Sequence, residues 1–329
     1  MKLYSITELQ NIIKAELNTR SEELKKMNPI KLYRPVDYSL EMGGKRLRPA
    51  LLLMAYNMFS DSVQDAVPAA IAIEVFHNFT LLHDDIMDKA DVRRNKPTVH
   101  KKFSENSAIL SGDVMAFLSY RFLSECKSEN LHEVFDIFTK TAIEVCEGQQ
   151  FDMEFETRMD VREAEYLEMI RLKTAVLLAC SLKIGALLAN ASKEVAEQLY
   201  QFGINLGIAF QLQDDLLDSY GNQQSFGKKI GGDILANKKT FLSINALQNA
   251  TDSGKQELQN WFKVTDCDSD EKITAVMKIY NQLNIKGLTE QKIESYFQKC
   301  TTIFNKISIE NNRKEQLNEI SNSMLNRAY

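Results

Sequence analysis

The sequence predicts an all-α protein, and three observations carry that expectation. Apolar residues return at intervals of three and four over most of the chain, the spacing that keeps one face of a helix against a core. All five prolines, Pro29, Pro35, Pro49, Pro68 and Pro97, lie in the first third, so the remainder is free of the residue that helix interiors tolerate least. No segment alternates apolar and polar residues for long enough, with β-branched enrichment, to promise more than a little sheet. Nothing between the ends resembles a linker, neither a Pro-rich or Ser-rich run nor a block of like charge. Residues 1–329 are therefore expected to form one domain.

Helical spacing covers Leu47 to Phe59, Ala66 to Met87, Ala108 to Leu123, Glu133 to Phe155, Ala164 to Leu188 and Val195 to Leu217. The second of these, with AVPAAIAIEVFHNFTLLH, is apolar nearly all round and belongs at the centre of a bundle. From Ser219 to Lys239 the pattern breaks into SYGNQQSFGKKIGGDILANKK, rich in glycine and lysine. A loop of that length inside a compact domain is more often functional than not. Beyond it, amphipathic helices return with weaker periodicity and suggest no chemistry.

A net charge of -5 argues against nucleic acid as the main partner, because binding a phosphate backbone calls for a basic surface. The five cysteines are scattered without a CxxC pair, so neither a disulfide framework nor a zinc site is expected, and a reducing compartment fits. MKLYSITELQNIIKAELNTR lacks the uninterrupted apolar core of a signal peptide or membrane span, and SMLNRAY carries no prenylation box. A soluble, cytoplasmic protein without a membrane span is the expectation.

The chemistry is concentrated in a repeated acidic motif: Asp84, Asp85 and Asp88 in HDDIMD, and Asp214, Asp215 and Asp218 in QDDLLD. Clustered carboxylates repel one another and call for a cation. At about 100° per residue the first and last Asp of each motif lie about 40° apart on one helix face, with the middle Asp round the side. One such motif is most often a solvated acidic face. Two copies, each ending an apolar helix and each followed by a basic segment, are not. Carboxylate oxygens without histidine or cysteine at ligand spacing favour Mg²⁺, which keeps waters and phosphate oxygens in its shell. The motifs thus read as a metal-bridged grip on a phosphorylated substrate. Cations to complete it are available in Lys45, Arg46 and Arg48 of GGKRLRP, in Arg93 and Arg94, in Lys173, and in Lys228 and Lys238. His83 and Asp84 also spell the HD pair of metal-dependent phosphohydrolases, but the only upstream histidine, His77, lies on the same helix.

DDIMD followed by RR, FQLQDDLLD, GGKRLRP, EGQQFD at Glu147 to Asp152, RLKTA at Arg171 to Ala175 and FGKKIGGDILANKKT occur in one order. Together they resemble the trans-isoprenyl diphosphate synthases, or polyprenyl synthetases, over about residues 43–240. That resemblance implies an all-helical fold around a central cavity, usually homodimeric, that joins an allylic diphosphate to isopentenyl diphosphate with several Mg²⁺ ions, Mn²⁺ being a substitute. It implies that Asp84, Asp88 and Asp214 hold the metal, with Asp85, Asp215 and Asp218 supporting. It assigns Arg93, Lys173, Lys228 and Lys238 to the allylic diphosphate, and Gly44, Lys45, Arg48, His77 and Arg94 to that of isopentenyl diphosphate. Thr174 and Gln211 would turn oxygen dipoles toward the allylic cation, and Gln149 and Asp152 match motif positions with a less defined role.

By the same resemblance Phe79 and Thr80, five and four residues before the first motif, set product length. A bulky ring followed by a small residue is similar to synthases of C20 geranylgeranyl diphosphate. The helical wheel puts Thr80 and Phe76 nearer the active face than Phe79, so a C15 farnesyl product or a longer polyprenyl one stays open. Two further alternatives are a class I terpene cyclase, which would not need GGKRLRP and paired arginines, and a non-catalytic synthase subunit, which would have lost one acidic motif.

Overall fold

A computed structural model describes residues 2–221, 230–264 and 267–325. The chain is helical nearly throughout. Its helices are α1 (Ile6–Leu24), α2 (Ile30–Glu41), α3 (Leu47–Asn57), α4 (Val67–Met87), α5 (Val99–Lys102), α6 (Glu105–Leu123), α7 (Leu131–Thr157), α8 (Glu163–Ile170), α9 (Val176–Leu188) and α10 (Lys193–Tyr220). They continue as α11 (Gly232–Leu235), α12 (Phe241–Asn249), α13 (Asp252–Lys263), α14 (Ser269–Gln282), α15 (Ile285–Lys306) and α16 (Asn311–Leu325). The only strands among the described residues are β1 (Val92–Arg93) and β2 (Lys96–Pro97), paired antiparallel.

Local sequence explains the boundaries. The Ser5 hydroxyl accepts from the Glu8 amide while Glu8 reaches back to the Ser5 amide, a capping box that starts α1. Thr240 with Ser243, and Asp268 with the amides of Asp270 and Glu271, start α12 and α14 in the same way. The stretch Ala164–Leu188, which the periodicity renders as one helix, is interrupted by a π-helical turn at Arg171–Ala175. Such a turn carries one extra residue, which a repeat of three and four cannot reveal.

By their contacts the residues group into two compact units. The first comprises residues 1–140, 177–200 and 307–320, and the second 141–176, 201–306 and those from 321 on. In the first, α4 is packed by α1, α2, α3 and α6. Val67 and every residue from Ala69 to Phe76 of α4 are buried, as the apolar run requires. Burying each large aliphatic side chain removes it from water for about 1.5–3 kcal/mol, and Leu51, Leu52 and Leu53 of α3 are all at 0% exposure. The helical stretch Val63–Met87 is also long and apolar enough to cross a bilayer, but 67% of its most apolar window is buried, so its apolarity serves this core. In the second unit Tyr166, Met169, Leu212, Leu216, Phe241 and Tyr280 belong to one apolar cluster built by α8, α10, α12 and α14.

Candidate active site

In the first unit the glycine turn and the hairpin meet. Gly43 and Gly44 take φ of +85° and +131°, and Arg46 takes +48° before α3 begins. At Gly44 the φ of +131° is one that a residue with a Cβ rarely adopts, and the missing side chain lets the Arg94 guanidinium lie close, 2.7 Å from where a Cβ would be. Arg94 reaches it from the tip of β1–β2, where Arg94 and Asn95 have φ of +53° and +60°. Two left-handed residues between paired strands are what a tight hairpin of this twist requires. Arg94 is thus held in backbone that arginine rarely adopts, a kind of strain concentrated at functional sites.

Arg48 Nη1 lies 3.2 Å from His77 Nε2. Arginine always donates, so Nε2 accepts and the imidazole proton sits on Nδ1. Burial first, and then the charges of Arg48, Arg94, Arg93 and Arg46, hold the His77 pKa well below the usual histidine range. Burial and Arg46 likewise push the Arg94 guanidinium down. A pocket this crowded with cations is ready for an anion.

A pH prediction follows. His77 in the folded chain binds its proton more weakly than in the unfolded chain, so its contribution to stability is complete above about pH 6.5 and is lost as pH falls below it. In urea melts between pH 7.5 and 5.5, His77→Gln is expected to flatten the acid-side loss of stability by up to about 1.4 kcal/mol per pH unit. Parallel curves for parent and variant would contradict the burial.

At the end of α4 the three acids divide as the wheel foretold. Asp85 is 3% exposed. It receives Arg93 Nε on both oxygens, at 2.8 and 2.9 Å, and burial raises its pKa while Arg93 opposes the rise. The Asp84 carboxylate, 18% exposed, is 3.5 Å from Arg93 Nη2, and Asp88 is exposed. His83 turns away from the acids: its ring meets Phe79 edge-on at 4.9 Å, and Nε2 lies 3.2 Å from the Ile109 carbonyl oxygen on α6. Phe79 also meets Phe76 at 5.4 Å, Phe76 meets Phe138 at 5.3 Å, and Phe138 meets Tyr120 at 5.0 Å. Thr80 donates its hydroxyl proton to the His77 carbonyl.

Arg46 departs from the sequence expectation. Its guanidinium is engaged inside the fold by Glu74 and the Leu40 carbonyl.

The second unit brings several of the remaining predicted residues to a cavity of about 120 Å³, lined by Asp152, Lys173, Thr174, Gln211, Asp215, Asp233 and Lys238 among others, while Gln149, Asp214 and Asp218 are not part of its lining. Lys173 Nζ is 2.6 Å from Asp152 Oδ2, which gives Asp152 a role in placing the lysine. The Thr174 hydroxyl donates to Gln211 Oε1 at 3.2 Å, and Gln211 Nε2 donates to Asp215 Oδ1 at 2.9 Å. Tyr166 donates its hydroxyl proton to the other Asp215 oxygen. Asp215 is 5% exposed. Burial, followed by the charge of Asp233, raises its pKa well above the carboxylate range, and it serves as a buried acceptor. Asp218 accepts from the Asp233 amide at 2.9 Å, tying α10 to α11. Lys173 and Thr174 both lie in the π turn, and Gly148 of EGQQFD lets α7 pass directly against it. A Cβ at Gly148 would intrude on the Lys173 amide and sit 2.7 Å from the Lys173 Cα. Lys228 lies outside the described residues.

Sequence reasoning missed Tyr166, Asp233, Glu74 and the inward turn of Arg46. Only Asp233 left a signal, an acid directly after Gly231 and Gly232 in the glycine-rich stretch. Among the described residues at the two ends of that stretch, α10 runs on to Tyr220 and α11 begins at Gly232.

Among the described residues no three acids, histidines or cysteines gather into a ready-made metal site. A hard ion of the Mg²⁺ kind can be held by one or two carboxylates, with waters and substrate phosphates completing its shell. Asp85 is held by Arg93, Asp215 by Tyr166 and Gln211, and Asp218 by the Asp233 amide.

A crystal structure of a geranylgeranyl pyrophosphate synthase superposes with a TM-score of 0.93 at 43% identity, covering 99% of this chain and 100% of that one. The geranylgeranyl pyrophosphate synthetase of Pyrococcus horikoshii superposes at 0.89 with 29% identity, covering 98% and 99%. Fold and site together define an enzyme of the all-α isoprenoid synthase class, a transferase. The polyprenyl synthetase model matches residues 29–280, and the chain belongs to the polyprenyl synthetase family. A geranylgeranyl diphosphate synthase of Methanosarcina mazei is 46% identical over 222 residues, 67% of this chain and 68% of that protein. A geranylfarnesyl diphosphate synthase of Natronomonas pharaonis is 34% identical, covering 94% of both.

Proposed function

We propose that this chain adds isopentenyl diphosphate, head to tail, to an allylic diphosphate and stops at geranylgeranyl diphosphate, C20. The observation that carries this reading is the pair of intact aspartate motifs in a chain 46% identical to a geranylgeranyl diphosphate synthase. Asp84, Asp88 and Asp214 would hold Mg²⁺, with Asp85, Asp215 and Asp218 fixed behind them. The metal, when bound, stabilises charge on the departing diphosphate.

Arg93, Lys173 and Lys238 bind that diphosphate and meet its growing charge as the carbon to oxygen bond breaks. The hydroxyl of Thr174 and the amide oxygen of Gln211 turn their dipoles toward the allylic cation. Lys45, Arg48, Arg94 and neutral His77 hold the diphosphate of the second substrate beside Gly44. The released diphosphate takes the final proton, so no nucleophilic side chain is needed.

The C20 limit rests on Phe79, a ring braced on one side by Phe76 and on the other by His83, with Thr80 beside it. Labelled isopentenyl diphosphate, given with C5, C10 or C15 primers, is expected to yield mainly the C20 alcohol after dephosphorylation and chromatography. A C25 product would favour the second reading, which the 34% identical geranylfarnesyl synthase supports. Phe79→Ala is expected to lengthen the product, and an unchanged length would make Phe79 a packing residue.

The same reading places the enzyme in the cytoplasm as a homodimer. On α6, Leu110 and Phe117, seven residues apart on one face, are 58% and 75% exposed. A second copy would bury them, as an apolar patch of this kind calls for.

A further inference from the structure

We propose that the inward-turned Arg46–Glu74 pair positions the glycine turn, so that an ion pair inside the fold sets the affinity for isopentenyl diphosphate. This rests on the assignment of Lys45, Arg48, His77 and Arg94 to that substrate. Arg46 sits between two of them in sequence with φ +48°, a left-handed conformation unfavourable for any residue with a Cβ. Such backbone persists only where the surroundings over-determine it.

Here they do. Arg46 donates from Nη1 to the Glu74 carboxylate and from Nη2 to the Leu40 carbonyl at 2.6 Å, spanning α4 and the end of α2. Glu74 is 2% exposed and also accepts from Asn78 Nδ2 at 2.8 Å. From the other side, Gln10 of α1 donates to the Lys45 carbonyl at 2.6 Å. The turn is therefore pinned at two successive residues, Lys45 through its carbonyl and Arg46 through its side chain.

Stability alone does not call for this pair, since a buried ion pair replaced by apolar groups is often no loss. Its value lies in direction and charge. A planar fork bonded at two points fixes the backbone from which Lys45 and Arg48 leave. Glu74 also supplies negative charge among cations that would otherwise repel, Arg94 included.

The test compares parent, Arg46→Met/Glu74→Gln, Arg46→Lys and Lys45→Ala by melting and by steady-state kinetics in both substrates. The double variant strands no charge and is expected to melt close to the parent. Its KM for isopentenyl diphosphate should rise about tenfold or more, as for lost outer partners of a binding site. The KM for the primer, and kcat, should stay within about twofold. Arg46→Lys keeps the charge but loses the fork and should fall between parent and double variant; it decides alone if the double variant does not fold, parental values then overturning the proposal. A double variant that folds with a parental KM for isopentenyl diphosphate overturns it too, and if Lys45→Ala still raises that KM the substrate assignment survives. If Lys45→Ala instead raises the primer's KM, the assignment falls. The positioning role then stands only if the double variant follows Lys45→Ala on the primer.

Discussion

Asp84→Ala and Asp214→Ala are each expected to lower kcat by about three orders of magnitude or more, since the several kcal/mol that a metal supplies to departing charge are lost with its ligand. Melting should move little. The ion pair of Asp84 with Arg93, at 3.5 Å, is partly exposed, a contact worth no more than about 1 kcal/mol. The middle acids should behave differently. Asp85→Ala strands Arg93, and Asp215→Ala removes the acceptor shared by Tyr166 and Gln211. Leaving buried partners unmet costs about 1–3 kcal/mol each, more where a charge is involved. Activity from labelled isopentenyl diphosphate, paired with thermal melts of all four variants, separates the two roles. A large loss of stability in Asp84→Ala would show that the acids serve the fold.

Gly148→Ala is expected to be the most damaging single methyl outside the acids. The new Cβ meets only backbone: the Lys173 amide and Cα, and the Leu172 carbonyl carbon at 2.8 Å. Backbone cannot swing aside as a side-chain tip can, so α7 and the π turn must separate, with a loss of about 1–3 kcal/mol. Lys173 and Thr174 ride on that turn, and a displacement near 1 Å can cost about a hundredfold in rate. The expected signature is a fall in kcat larger than the fraction of unfolded protein explains, with the Lys173–Asp152 contact disturbed. A variant with parental kcat and melting would mean that α7 and the turn tolerate the added methyl without moving Lys173.

The long helices and both aspartate motifs were legible because each leaves a repeated pattern in the sequence. Helical spacing at Leu47–Phe59 and Val195–Leu217 falls on α3 and α10 to within a few residues. The wheel set the middle acid of each motif apart from the other two, but only the structure shows that Asp85 and Asp215 are the buried ones. Features made by one residue, or by two distant ones, were hidden. The β1–β2 hairpin has strands of two residues, too short to show alternation, yet it carries Arg94. The π turn adds one residue to an otherwise helical spacing. The Arg46–Glu74 and Tyr166–Asp215 contacts join residues 28 and 49 apart, and nothing local to either partner announces the other.

The run of rings from Phe79 through Phe76 and Phe138 to Tyr120 has an evolutionary corollary. Under the proposed reading of Phe79 as the stop, rings set one behind another would let a lineage alter how far its polymer grows by paring a single ring at a time. Such changes would leave the aspartates and arginines untouched. Reactivity and product size would then be inherited as separate traits, and kin with a common mechanism would diverge in what they release.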